Sequence, residues 1–499
     1  MKKWSVVAIL ALAQFIMVLD STVMNVSMSE VVVSLGTTIS GLQAAITFYT
    51  LTMAAFMLTG GKLGDKFGRL KTFKIGAVIY GLGSLITAIS PNLPTLMFGW
   101  SLVEGLGAVL VIPAIAALVA NNYKGKDMVV GCAIIGGISG AAAAAGPLIG
   151  GFVTTYFSWR YVFAAETVIM VVVLLLSRYI ADAKKAKNPP KIDSLSVALS
   201  VVGMVSLVFG MLQSKTWGWI TPMAIPEING QPIAPLGISL VAYLIIAGLA
   251  VLYLFYRRQQ SLEVAGKNPL LQVSMLTIKP MRSGLAVLGS QYLITAATFF
   301  VIPVYLQMVL GLDALKTGIK ILPMSIALIL FSVLGAKLIV KYSPQKIIRL
   351  GQILLVLGAL LLIGAINPEL KGPLFGFGMF MLGGGLGLLA SQIGNVTMSS
   401  VGDSQSSEVG GLQGAARNLG SSLGTAVIGS VLIASLTTGF ITNVSQNNDI
   451  PASVQSSVQE QATVGIPIVS VSDVEAAATE AGLNESEAES ITNDYESAQ

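Results

Sequence analysis

Thirteen stretches of this chain each run for roughly 20 residues with hardly a charge, the length at which a helix rising 1.5 Å per residue crosses about 30 Å of hydrocarbon. Nothing else in the sequence limits the possible folds so strongly. Lipid offers no hydrogen bonds, so each run must satisfy its own backbone as a helix. Composition agrees: 54% of residues are hydrophobic and 11% charged, where a soluble globule carries about 25% charged, which excludes a water-soluble protein. Glycine is abundant, at 53 residues, but without a three-residue period, so collagen is excluded as well. The single cysteine, Cys132, leaves neither a disulfide framework nor a thiolate metal site. Histidine is absent from the chain, so proton chemistry has to fall on carboxylates.

The runs lie at 5–27, 41–60, 72–90, 94–120, 129–153, 160–181, 195–213, 236–256, 284–310, 317–340, 349–366, 373–401 and 412–440. Lys2 and Lys3 precede the first, as in a secretory signal, but no small-residue cleavage site follows and the run continues through Asp20 and Asn25. It reads as a retained first span. With the N-terminus inside, the inner segments carry 24 of the 29 Lys and Arg residues, which sets the orientation.

The chain repeats itself. Shifted by 275, the segment from Gly60 to Gly76 lies over Gly335 to Gly351 with six identities in seventeen positions. Shifted by 274, the fifth run matches the thirteenth at Gly136/Gly410, Gly140/Gly414, Gly146/Gly420 and Gly150/Gly424, among others. Corresponding helices therefore differ by eight, and runs seven and eight form an insert between two halves of the same orientation, the parallel-repeat plan. The expected fold is an all-α polytopic membrane protein: two six-helix bundles and a two-helix insert, with the last helix of the second bundle missing. The expected regions are an N-terminal bundle at 1–182, linkers and insert at 183–283, a C-terminal bundle at 284–440 and an acidic tail outside the membrane at 441–499. That tail has no Lys or Arg and reads as solvated and partly disordered, with a short apolar piece from Val464 to Val471 and one helix over Val474 to Tyr495. Thirteen working spans with an outside C-terminus, or a fourteenth beyond residue 499, both fit.

The segment from Gly61 to Arg69, Gly-Lys-Leu-Gly-Asp-Lys-Phe-Gly-Arg, resembles the loop signature of the major facilitator superfamily. Gly146-Pro147-Leu148-Ile149-Gly150-Gly151 is similar to the glycine-proline motif of its antiporters. Leu19 to Val26 and Trp159 to Phe163 resemble the first-span and sixth-span signatures of the fourteen-helix drug:proton antiporter family. Together, over about residues 5 to 440, these motifs imply proton-coupled drug efflux. The chain also departs from that pattern: Ser101 and Glu104 precede Gly105 where the family carries Arg and then Gln, Ser29 replaces Pro, and Glu166 replaces Asn. The family's arginine role in coupling has no residue here to carry it.

Only Asp20, Glu104 and Glu166 are acids well inside predicted spans. A charge at the bilayer centre costs about 2.5 to 3.5 kcal/mol even on the lenient insertion scale, so each must face protein or water. Counted from the outer ends of their spans, Asp20 and Glu166 lie roughly 10 Å deep and Glu104 roughly 15 Å, so the three could share one layer. Burial and mutual repulsion both favour the protonated carboxyl, a property suited to proton exchange. The plain alternative is three permanently protonated acids that hydrogen-bond neighbouring helices. Asn25 is grouped with them through the first-span resemblance. In the second half Gln291, Tyr292, Gln392 and Asn395 are the cavity-lining candidates, against interhelical bonding as the commoner use of such residues. Gly61 and Gly68 permit a tight inner-face turn in which Asp65 and Arg69 form an ionic latch that breaks as the halves rock. Gly146, Pro147, Gly150 and Gly151 allow close packing or a bend. Glycines 383–385 and 387 read as packing positions, because no Gly-Lys-Ser/Thr follows them.

The sequence thus points to a plasma-membrane secondary transporter, not an enzyme, that expels small amphipathic, cationic or neutral compounds in exchange for protons. It needs no cofactor beyond the proton gradient. Its partners are the substrate, protons and the lipid bilayer, with no nucleic acid, and a monomer is the expected state. A dedicated exporter of one metabolite, lipid or antibiotic is the near alternative. A channel or membrane sensor is the alternative from another class.

Overall fold

The computed structural model describes residues 3–498 apart from 38, 183–190, 224, 229–230, 313, 340, 366–369, 371–372, 403–404, 448–449, 452–453, 457, 459–470 and 481–482. The side chains of Asn25 and Ser29, Val340 and the apolar stretch 464–470, on which the sequence places expectations, lie outside the described residues.

Each apolar run is a helix: α1 (Ser5–Val26), α2 (Ile39–Phe67), α3 (Arg69–Ala88), α4 (Leu93–Asn122), α5 (Lys126–Tyr156), α6 (Arg160–Leu176), α7 (Ser194–Trp217), α8 (Leu240–Val264), α9 (Lys279–Val304), α10 (Ala314–Leu338), α11 (Pro344–Ala365), α12 (Leu374–Met398) and α13 (Ser406–Gln446). Twelve of them are long and apolar enough to cross a membrane. The exception, α3, opens on Arg69, Lys71 and Lys74, which lower its mean hydropathy although its 20 residues are one continuous helix. The described strands are a two-residue pair, Glu227–Ile228 against Gln231–Pro232, in the segment between α7 and α8.

One expectation is corrected here. The Gly61–Lys71 segment is not a loop: α2 stays helical to Phe67 and α3 begins at Arg69. Only Gly68 breaks the helix, at φ +99°, a conformation that strains any side chain. The Asp182 carboxylate accepts from the Leu70 amide at 3.2 Å and so satisfies one free N–H at the start of α3.

The described residues form two compact units: Met1–Val205 with Gly248–Tyr292 and Ala314–Gly420, and Ser206–Ala247 with Leu293–Asp313 and Ser421–Gln499. In the first unit, Leu10, Ala13, Ile16, Phe73, Tyr80, Val111, Leu118, Met170 and Val173 form a continuous core between α1, α3, α4 and α6. Glycines set how closely these helices approach. A Cβ on Gly83 of α3 would stand 2.5 Å from the Glu104 amide nitrogen of α4, so only glycine allows this crossing. On α5, Gly146 and Gly150 lie against Thr22 and Val23 of α1, and Gly136 and Gly140 lie against Ala390 of α12 and Leu328 of α10.

The internal repeat reappears as packing. Gly420 lies against Gly289 of α9 within the first unit, and Gly424 against Leu293 of α9 within the second, just as their counterparts Gly146 and Gly150 lie against α1. Gly76 likewise meets α4 at Gly107 and Leu110, and its counterpart Gly351 meets α12 at Gly385 and Leu388. The glycines of α12 are packing positions, Gly383 on Met324 and Gly387 on Leu328 of α10.

The insert is tied where α7 begins and α8 ends. Arg258 of α8 donates from Nε and Nη2 to Asp193, which also accepts from the amide and hydroxyl of Ser196 in the first turn of α7. These bonds, the one to Arg258 foremost, hold the Asp193 carboxyl down to about 2. Because the folded value lies below the ordinary one, the tie is at full strength above about pH 4 and is lost only toward pH 2.

The tail differs from its expectation. Two helices, α14 (Val471–Glu480) and α15 (Glu485–Ala498), stand in place of one. Asn484 and Glu487 each accept from the other's amide, a capping box that starts a new helix inside the predicted one. Nor is the tail only solvated: Ile491 and Tyr495 pack on Leu436, Phe440 and Val444 at the end of α13.

Gly83→Ala should therefore lower the thermal unfolding midpoint in detergent, overpacking costing about 1 to 3 kcal/mol. Gly364→Ala on α11, where a Cβ meets nothing within 4 Å, should leave the midpoint unchanged or raise it.

Candidate functional site

Three helices of the first half, α1, α4 and α6, each bring one acid to the same point. Asp20, Glu104 and Glu166 are all 0% exposed, and one carboxylate oxygen from each lies within 4.8 Å of the other two. The sequence placed them in a common layer by depth, and the fold brings them into one cluster.

Local structure explains how. Asn92 caps the start of α4 by accepting from the Thr95 amide at 3.0 Å, with Pro94 in the first turn. From Met97 to Glu104 the helix widens into a π-helical stretch, a deviation that concentrates at functional sites. Trp100 and Glu104 are both buried in this stretch. The Trp100 indole Nε1 donates to Asp20 Oδ1 at 2.8 Å, and its ring stacks on Tyr49 of α2 with centroids 4.8 Å apart. Ser101 donates to the Ala45 carbonyl of α2 at 2.7 Å, fixing the other side of α4. From α3, whose Gly83 permits the approach, Ser84 reaches Glu104 Oε2 at 2.9 Å and Glu166 Oε2 at 3.5 Å.

Four buried polar atoms in this cluster have no hydrogen-bond partner among the described residues: Asp20 Oδ2, Glu104 Oε1, Glu166 Oε1 and the Tyr80 hydroxyl. Two ionised carboxylates at this separation repel by about 3 to 4 kcal/mol at an effective dielectric of 20. Three cannot remain charged together in a buried site. The arrangement relieves its own repulsion by taking up a proton or a cation, and the three converging oxygens can serve either.

Trp100, Ser84, Tyr49 and Tyr80 were not singled out from the sequence. Trp100 carried a usable signal, since tryptophan favours the membrane interface and one in mid-span usually has an occupied N–H. Ser84 carried none, because its role depends on a crossing that Gly83 makes possible. Asn25 sits in the last turn of α1. Gln392 is fully buried and spends its amide on the Gly335 carbonyl of α10 at 2.9 Å, an interhelical tie and not a cavity wall. Asn395 is buried on α12 and Gln291 on α9, and Tyr292 faces the Arg417 guanidinium. The start of α6 is held by Arg160, which donates to Ser34 Oγ and to the Ser90 carbonyl.

Asp65 at the end of α2 and Arg69 at the start of α3 stand 3.9 Å apart across the Gly68 break. A stronger pair lies alongside. Lys62 Nζ of α2 meets Glu408 Oε1 of α13 at 2.6 Å with both side chains buried, and Glu408 Oε2 accepts from the Gln272 amide at 3.0 Å. This pair joins the first half, the second half and the segment that leads out of the insert. Removing one member leaves a buried charge alone, so Lys62→Met or Glu408→Gln should cost about 3 to 5 kcal/mol of stability. The double variant Lys62→Met with Glu408→Met should recover most of it, measured as thermal unfolding midpoints of the three proteins.

Comparison with known proteins adds the following. Residues 10–425 match the family model described as Major Facilitator Superfamily. The chain is 26% identical over 443 residues to a probable actinorhodin transporter of Streptomyces coelicolor, covering 87% of this chain and 73% of that one. It is 26% identical over 424 residues to the multidrug resistance protein Stp of Mycobacterium tuberculosis, covering 85% and 74%. Among solved structures, the human organic anion transporter MFSD10 superposes with a TM-score of 0.59 at 13% identity, over 93% of this chain and 98% of that one.

Proposed function

From the premise that the chain belongs to the major facilitator superfamily, a family of membrane transporters and not of enzymes, we propose that it expels small amphipathic compounds across the plasma membrane in exchange for protons. The observation that carries this reading is the buried triad Asp20, Glu104 and Glu166, with an oxygen of each within 4.8 Å of the others. The likeness to antibiotic and multidrug exporters supports outward transport.

Repulsion inside the triad makes a proton or a cationic group a stabilising guest, and the two compete for the same oxygens. A cationic or neutral amphiphile entering from the inside displaces protons. Protonation from the outside expels the compound there, and proton loss to the inside resets the site. A potential of 100 mV supplies about 2.3 kcal/mol per net charge moved, roughly a 50-fold gradient. The N-terminus lies on the inner side, the protein works as a monomer, and the proton gradient is its sole energy source.

A dedicated exporter of one antibiotic or metabolite is the second reading, favoured by the likeness to the probable actinorhodin transporter. A channel would dissipate a proton gradient without any substrate.

The test uses acid-loaded inverted vesicles containing the full chain, with tetraphenylphosphonium as probe cation. Its addition should release protons, and Asp20→Asn should abolish the response. Release without the cation, or a full response from Asp20→Asn, would overturn the reading.

A further inference from the structure

The triad leaves one half-buried cation of the second half unexplained. Arg417 lies eleven residues into α13, about 16 Å along the helix axis from Ser406 and five residues inside the apolar run 412–440. Its guanidinium carbon stands 5.1 Å from the centroid of the Tyr292 ring on α9. It pairs with no carboxylate of a described residue, although three other cations, Lys62, Arg69 and Arg258, each have an acid. Its Nε is buried without a hydrogen-bond partner among the described residues, while the side chain as a whole is only half-buried.

An arginine at this depth is costly, and a tyrosine face offsets only part of what water or a carboxylate would supply. Set over the Tyr292 ring, the guanidinium keeps donors without a hydrogen-bond partner among the described residues, Nε among them. A planar fork of donors so held matches a carboxylate, with two parallel N–H···O bonds. The aromatic support favours an acid carried on a flat, apolar frame that continues the stack.

We propose that Arg417 and Tyr292 form a subsite for an ionised acid group of the transported compound, so that the substrates include aromatic acids and zwitterions, the latter being the net-neutral case. The proposal rests on the efflux reading above and sharpens its substrate class. The acid subsite belongs to the second half, whereas the proton-exchanging carboxyls belong to the first. Asp20 and Arg417 therefore recognise opposite charges on opposite halves of the duplicated chain.

The test is a binding measurement on the purified full chain in detergent, with no gradient, using anthraquinone-2-carboxylate and its uncharged amide as probes. The wild type should bind the carboxylate about tenfold or more tightly than the amide. Arg417→Gln should bring the acid down to the amide's affinity and leave the amide unchanged. Arg417→Lys should restore part of the preference, and Tyr292→Leu should weaken both probes. The acid preference should persist in Asp20→Asn, which separates recognition from coupling. Equal binding of the two probes by the wild type, or a preference that survives Arg417→Gln, would overturn the proposal. The wild-type comparison decides even if Arg417→Gln does not fold. If the preference is absent while tetraphenylphosphonium still drives proton release, this inference fails and the efflux reading stands.

Discussion

A carboxylate deep in lipid is tolerated only where something answers its charge. In this protein three of them answer to one another and to a small set of neutral donors, and much of the first half is arranged around that fact. Trp100 and Ser84 supply three hydrogen-bond contacts, one to each acid, which leaves each acid one oxygen without a partner among the described residues. Such a site is incomplete by design of its chemistry: enough bonds to hold its shape, too few to hold its charge. The proposed proton exchange draws on that imbalance and needs no histidine.

Helix contact geometry makes the cluster possible. Gly83 brings α3 onto the backbone of α4 beside Glu104, and Gly146 and Gly150 bring α5 onto α1 beside Asp20. The helices that carry Asp20 and Glu104 are thus each braced by a neighbour that bears none of the three acids. The same α5 carries Gly136 and Gly140 against helices of the second half, so one helix touches both the acid layer and the repeat-related partner bundle. The buried Lys62–Glu408 pair adds an ionic contact between α2 and α13. An alternating-access cycle would have to break it, and two buried ions that separate into water lose less than two that separate into lipid.

Much of this was legible in the sequence. Length and hydropathy located thirteen helices, and the offset of 274 to 275 gave a repeat whose glycine contacts recur in the structure at Gly146/Gly420 and Gly150/Gly424. Asp20, Glu104 and Glu166 were marked by the cost of charge in lipid alone. What could not be read was lateral: Ser84, Tyr80 and Tyr49 join the site through helix crossings, and no spacing along one strand of sequence reports which helices cross. Segments near helix ends misled for a related reason. The Gly61–Phe67 stretch looks like a turn by composition, yet its glycines serve helix contact and only Gly68 bends the chain. Polarity in mid-span was ambiguous in the same way, since Gln392 and Asp20 are both buried polar residues and only the fold shows that one ties helices and the other joins a cluster.

The central claim is that protons are shared among these carboxyls at neutral pH. Infrared difference spectroscopy on membranes containing the protein reads it most directly, through the C=O stretch of protonated carboxyl groups, with the triple amide variant of Asp20, Glu104 and Glu166 as reference. The account predicts a protonated-carboxyl band at pH 7 in the wild type that is absent from the reference and loses intensity when a cationic substrate binds. An identical spectrum from both proteins, with no such band to lose, would contradict it.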